Sequence, residues 1–200
     1  MDDIKRGFRV VKQNYRIILA SASPRRRELL SGLDIEFEVR VLPGVSESFP
    51  KNLPVCDVPQ FIAVEKAEPY TGKLVENDLL ITADTVVIVD NQVLGKPVDA
   101  HDAARMLRLI SGRTHQVITG VCLTTVSCQR SFSVTTDVTF KQLSNEEINH
   151  YITRYKPFDK AGAYGIQEWI GYIGVTSING SYYNVMGFPV QRIWEEIQKL

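Results

Sequence analysis

The run Ser21-Ala22-Ser23-Pro24-Arg25-Arg26-Arg27 places three cations and two serine hydroxyls where a helix is about to start. A helix N-terminus already carries partial positive charge, so a purely structural sequence puts acids there. Free N–H groups, hydroxyls and guanidinium forks together suit phosphate oxygens; the bland alternative is a set of arginines pointing into water. A second signal is Asp84, which interrupts the run Ile81-Thr82-Ala83-Asp84-Thr85-Val86-Val87. An ionised carboxylate is not stable in a buried strand without a partner. Asp84 is therefore half of a buried salt bridge, a strand-end cap, or a carboxylate that binds metal or activates water. Glu47, in the loop after a strand ending near Leu42, is the candidate second ligand, against the default of a solvated glutamate. Lys66, Lys96 in Gly95-Lys96-Pro97, and Lys160 in Asp159-Lys160-Ala161-Gly162-Ala163-Tyr164-Gly165 lie beside turn formers, and taken singly each is a surface lysine. The loop from Lys160 to Gln167 is rich in small residues, so its backbone can approach a ligand closely or serve as a flexible connection.

These residues need a scaffold, and the sequence outlines one. Arg16 to Ala20 reads as a buried strand, followed by a short helix that Ser23 caps, Pro24 opens and Gly32 ends. Ile35, Phe37, Val39 and Val41 alternate with charged residues as a half-exposed strand does. Asp57 caps a second helix expected to stop before Pro69. Leu79 to Val89 is the central strand, with Asp90-Asn91 turning the chain back through Val93-Leu94. Asp99 to Ile110 has helical spacing and meets Gly112. Val117–Val126 and Phe132–Phe140 form an antiparallel pair, and Ser144 with Glu147 gives a capping box for a helix to about Tyr155. Asn179-Gly180 marks a further hairpin, and Pro189 begins a final amphipathic helix. The order predicts an α/β fold, a mixed sheet with flanking helices.

Composition narrows the function. Two hundred residues, 44% apolar, suit one folding unit. Lysine plus arginine equals aspartate plus glutamate at 23 each, so no global field draws in nucleic acid or an anionic membrane. No basic stripe with interleaved aromatics supports a nucleic-acid module, and no apolar run approaches membrane-spanning length. Cys56, Cys122 and Cys128 lack paired spacing and read as small buried residues of a cytoplasmic protein. The histidine of Ser111-Gly112-Arg113-Thr114-His115 reads as structural. Residues 1–15 read as an N-terminal extension and 16–200 as a single domain.

Leu19-Ala20-Ser21-Ala22-Ser23-Pro24-Arg25-Arg26, Glu47, Lys66-Ala67, Ala83-Asp84-Thr85, Gly95-Lys96-Pro97, Ser111 to His115, Thr119-Gly120 and Asp159 to Gln167 follow one another in an order that resembles the signature blocks of the Maf family. The resemblance implies an inosine-triphosphatase-like fold, a long twisted mixed sheet in two lobes around a cleft, and a homodimer. It implies cleavage of nucleoside triphosphates between the α and β phosphates with a divalent metal, Mg or Mn, held by Glu47 and Asp84. Asp84 is then the catalytic carboxylate, and Ser21, Ser23, Arg25, Arg26, Lys66, Lys96 and Lys160 bind the substrate. Arg25, Thr85 and Gln167 match the specificity positions of the branch acting on dTTP and UTP. A threonine hydroxyl and a glutamine amide can pair with pyrimidine edges. Two segments depart from the family pattern: Gln167-Glu168-Trp169 replaces a glycine-rich continuation, and Val45-Ser46-Glu47 lacks the common aspartate before the glutamate. The alternatives are the same chemistry on 7-methyl-GTP, or a nucleotide-binding regulator of cell division without significant turnover.

Overall fold

The computed structural model describes residues 15–44 and 47–200; most of the expected N-terminal extension, and the segment before Glu47, lie outside these residues. In chain order the strands are β1 Arg16–Leu19, β2 Phe37–Val39, β3 Asp78–Val89, β4 Gln92–Leu94, β5 Thr114–Thr124, β6 Gln129–Phe140 and β7 Val175–Asn179. The helices are α1 Pro24–Ser31, α2 Val58–Thr71, α3 Ala100–Ile110, α4 Asn145–Tyr155, α5 Trp169–Gly174, α6 Tyr182–Val185 and α7 Val190–Ile197, with a 3-10 turn at Ala161–Ala163. The strands form one seven-stranded mixed sheet, in the order β2-β1-β3-β5-β6-β7 with β4 also on β3. β2, β1 and β3 are parallel, and the remaining pairings are antiparallel. The mixed α/β architecture expected from the sequence is thus present.

β3 organises the molecule. One edge pairs with β5 from Leu80 to Ile88. The other edge is divided: Asp78 to Ile81 pair with β1, and Val87 to Val89 pair with β4. Among the described residues, the stretch 82–86 between them has no strand neighbour on that side, and Asp84 sits in its middle. Alternation sends Leu80, Thr82, Asp84, Val86 and Ile88 towards α2, where Thr82 donates to the Ala63 carbonyl at 2.6 Å. The opposite face contributes Leu79 and Ile81 to a core with α1 and α7, and Val87 and Val89 to another with α3, α4 and α5.

Local signals hold where local chemistry decides. Ser23 accepts from the Arg26 N–H, Asp99 from the Asp102 N–H, and Ser144 and Glu147 make both bonds of the capping box. Asp90 and Asn91 take φ of 49° and 59°, the paired left-handed conformation of a tight hairpin.

Tertiary contacts override other expectations. α2 runs through Pro69 to Thr71, because a proline near a helix end loses little hydrogen bonding and the next residue, Tyr70, is anchored: its hydroxyl donates to the Arg40 carbonyl and accepts the Leu42 N–H. Asp57 occupies the N-cap position without a side-chain cap bond. β2 is shorter than the alternation at Ile35–Val41 suggests. Asn179-Gly180 turns the chain into α6 and not into a hairpin, since Ser181 donates its N–H to Thr136 Oγ1 and caps the helix. Cys122 is buried, but Cys56 and Cys128 are exposed on turns. No helix among the described residues is long and apolar enough to cross a membrane.

His115 is a core residue. It is 2% exposed, and its Nε2 lies 2.7 Å from the Tyr164 hydroxyl. Burial pushes its pKa down to about 4. Because the folded value lies below the unfolded one of about 6.5, the unfolded chain binds more protons between those limits. The stability that neutral His115 contributes is complete above about pH 6.5 and is lost as pH falls towards 4. Urea melts from pH 7 to 4 should show this slope, and His115→Gln should flatten it; an unchanged slope in the variant would assign the acid limb elsewhere.

Candidate active site

The open stretch of β3 forms the floor of a cleft of about 680 Å³. Its rim is built by the turn into α1, the Glu47 loop, the inner face of α2, the loop after β4 and the Lys160–Gln167 loop. Ser21, Ser23, Arg25, Arg26, Glu47, Lys66, Asp84, Thr85, Lys96, Lys160 and Gln167 all line it.

α2 brings Lys66 over the floor. Pro59, Ile62, Ala63, Lys66, Ala67 and Tyr70 share one face of the helix, and all but Lys66 are buried against the sheet. The Lys66 ammonium lies 2.8 Å from Asp84 Oδ1 and 2.8 Å from Glu47 Oε1. The two carboxylates are therefore within twice that distance of each other. Burial opposes ionisation of Glu47, but the Lys66 hydrogen bond and the charges of Lys66, Lys96 and Arg26 outweigh it and hold the carboxylate below its ordinary pKa. Lys96, more exposed, stands 4.0 Å from Glu47 Oε2.

The arginine turn divides its labour. Arg26 folds back beneath the cleft, where Nη1 donates to the Ala83 carbonyl at 2.9 Å, left unpaired by the gap in the sheet. Its Nε donates to the Gly187 carbonyl at 2.9 Å and Nη2 to Thr85 Oγ1 at 3.0 Å. Burial pushes the Arg26 pKa down against the attraction of Asp84; an arginine remains charged nevertheless. Arg25 reaches Asp159 Oδ2 at 2.8 Å, and Arg27 is exposed. Ser23 serves as the α1 cap, while the buried Ser21 hydroxyl accepts from the Ser23 N–H at 3.3 Å. Thr85 faces away from Asp84 and shares a 2.9 Å hydrogen bond with Thr119.

The contacts of Asp159, which opens the Lys160 block, and of Glu168 and Tyr151 are not indicated by the sequence. Asp159 pairs with both Arg25 and Lys160, and although burial opposes its ionisation these two cations bring its pKa down to about 2. Glu168 lies 3.0 Å from the Lys160 ammonium. Gln167 Oε1 is buried without a hydrogen-bond partner among the described residues.

Glu47 and Asp84 offer oxygen ligands only, and no cluster of three or more His, Cys, Asp or Glu side chains placed to hold a metal exists among the described residues. The two carboxylates offer the hard oxygen donors that Mg²⁺ or Mn²⁺ takes and a thiophilic ion does not, at a position that the Lys66 ammonium bridges in this structure.

A family model described as Maf-like protein matches residues 16–200. A dTTP/UTP pyrophosphatase of Phocaeicola vulgatus is 60% identical over 188 residues, 94% of this chain and 97% of that protein. A dTTP/UTP pyrophosphatase of Bacteroides thetaiotaomicron is 55% identical over 186 residues, 93% of this chain and 96% of that protein. Among solved structures, a HAM1 protein from Coxiella burnetii aligns with 93% of this chain and all of its own, at a TM-score of 0.50 and 13% identity, a likeness of fold.

Proposed function

This chain belongs to the Maf-like protein family, and from that membership we propose that it is a nucleoside-triphosphate pyrophosphatase, hydrolysing dTTP and UTP to the monophosphate and pyrophosphate. The observation that carries the reading is the pairing of Glu47 and Asp84 around Lys66 at the floor of a cleft walled by cations from separate elements. A phosphate binder that only holds anions gains nothing from two acids at its centre.

The chemistry follows from charge. A nucleophile cannot approach the α phosphorus of a triphosphate until the phosphate charges are neutralised. Lys66, Lys96, Lys160 and Arg25 supply that neutralisation, with Ser21 and Ser23 adding hydroxyl contacts. Arg26, tied to Ala83, Thr85 and Gly187, keeps the floor in shape and adds its field. Glu47 and Asp84 would hold the divalent ion, which supplies further charge neutralisation beside the phosphates and acidifies nearby water. The Asp84 carboxylate accepts the proton of the water that attacks in line, and pyrophosphate leaves with its charge stabilised by the lysines. Gln167, which lines the cleft, reads the base: a side-chain amide can pair with the N3–H and the neighbouring carbonyl that thymine and uracil both present. Thr85 acts through Arg26, which it receives.

We read residues 16–200 as one domain of two lobes that share β3, working in the cytoplasm as a homodimer. A panel of dTTP, UTP, CTP and 7-methyl-GTP with magnesium or manganese, scored for monophosphate plus pyrophosphate, tests the function. Release of single phosphate would refute the cleavage site, and preference for the methylated purine would overturn the base assignment.

Arg25→Ala and Lys96→Ala should each raise KM for dTTP roughly tenfold or more, the worth of one charge-assisted contact, with thermal stability unchanged because both side chains pair only at the cleft rim. A fall in melting temperature with unaltered KM would make these cations structural.

A further inference from the structure

Lys160 is held more elaborately than a phosphate-binding lysine requires. Its side chain is 9% exposed, and Nζ donates to Asp159 Oδ1 at 2.8 Å and lies 3.0 Å from Glu168 Oε1. Asp159 is shared with Arg25, so Glu168 is the carboxylate that completes the charge balance at Lys160. Glu168 brings something further, because its second oxygen, Oε2, accepts the hydroxyl proton of Tyr151. The same hydroxyl oxygen accepts the Gly165 N–H at 3.0 Å. Burial and the neighbouring Glu168 push the Tyr151 pKa up, so the proton stays on the tyrosine and Glu168 remains the acceptor.

Tyr151 is a rigid anchor. It is fully buried on α4 and stacks on Tyr155 with ring centroids 5.2 Å apart. The chain beneath is equally constrained: a Cβ on Gly165 would stand 3.0 Å from Lys160 Cε and 3.0 Å from Glu168 Cδ. Lys160, Gly165 and Glu168 are thus packed on one another, and one hydroxyl from α4 ties the backbone and the carboxylate together.

We propose that Tyr151 and Glu168 are positioning residues, a relay from α4 that fixes the Lys160 ammonium at the cleft wall. An ammonium has three donors; with two directed to Asp159 and Glu168, the third is left for a phosphate oxygen in one place. The relay deepens the reading of Lys160 as a substrate-binding cation and rests on it. The Tyr151 hydroxyl and the Lys160 ammonium together offset the cost of partly burying the Glu168 carboxylate, so this acid couples α4 to the lysine.

The test is a double-mutant cycle on the full chain. Tyr151→Phe and Glu168→Gln are made in the wild type and in Lys160→Ala, and kcat, KM and melting temperature are measured with dTTP. Each substitution in the wild type should lower kcat/KM about tenfold or more, as small misplacements of a catalytic cation do. In the Lys160→Ala background neither should lower it further. Equal losses in both backgrounds, or losses explained entirely by a smaller folded fraction, overturn the relay while leaving the pyrophosphatase reading intact. A wild type that releases no pyrophosphate from any nucleotide in the panel overturns both.

Discussion

Asp84→Asn should lower turnover of dTTP and UTP by roughly a thousandfold, the usual span for a lost general base, in a protein that stays folded. The amide has the shape of the carboxylate, and its oxygen can still accept from Lys66 Nζ, which donates to Asp84 Oδ1 at 2.8 Å. Lys66 also keeps Glu47, so no buried charge is stranded. What disappears is the ability to take a proton and half of the carboxylate pair. Pyrophosphate release gives kcat, and a thermal melt checks the fold. A variant with wild-type kcat would remove Asp84 from the chemistry; a lower melting temperature with normal turnover would make it a salt-bridge residue.

Gly120→Ala should destabilise the fold by about 3 kcal/mol or more, near the upper end for overpacking a core. Gly120 pairs with Asp84 across β3 and β5 and so faces α2. A Cβ there would lie 2.3 Å from the backbone of Pro59 and Gln60, which cannot yield as a side-chain tip could. At a few degrees per kcal/mol for a chain of this size, the melting temperature should fall by about 10 °C. Activity of the surviving folded protein should fall as well, because lifting the start of α2 displaces Lys66 from Asp84 two turns further on. Unchanged activity per folded molecule would separate helix placement from the site.

The sequence makes legible what neighbours in the chain decide. The Ser144–Glu147 box, the Asp99 cap and the Asp90-Asn91 turn are contests won within four residues. Asp84 announces itself because a carboxylate inside a β-branched run needs a partner somewhere. Who that partner is depends on α2 lying across β3, which no local pattern states. The pairing of Arg25 with Asp159 spans 134 residues and that of Arg26 with Gly187 spans 161, so their roles, rim contact and floor strut, are invisible until the sheet forms. Pro69 and Asn179-Gly180 fail for the converse reason: sound local rules yield to Tyr70 and to Thr136. Lys66 carried an unread signal, a cation in the register of Ile62, Ala63 and Ala67 where every other residue is apolar or aromatic.

The divided edge of β3 also governs how the enclosure can widen. Ile81 and Val87 lie in separate cores on a single strand, and Val121 and Val117 on β5 and Phe132 and Phe140 on β6 repeat the arrangement. What joins the two sides of the mouth is hydrogen-bonded sheet together with residues 186–189, which cross from α6 to α7. A change in the width of the mouth therefore requires twisting of strands that run through both cores.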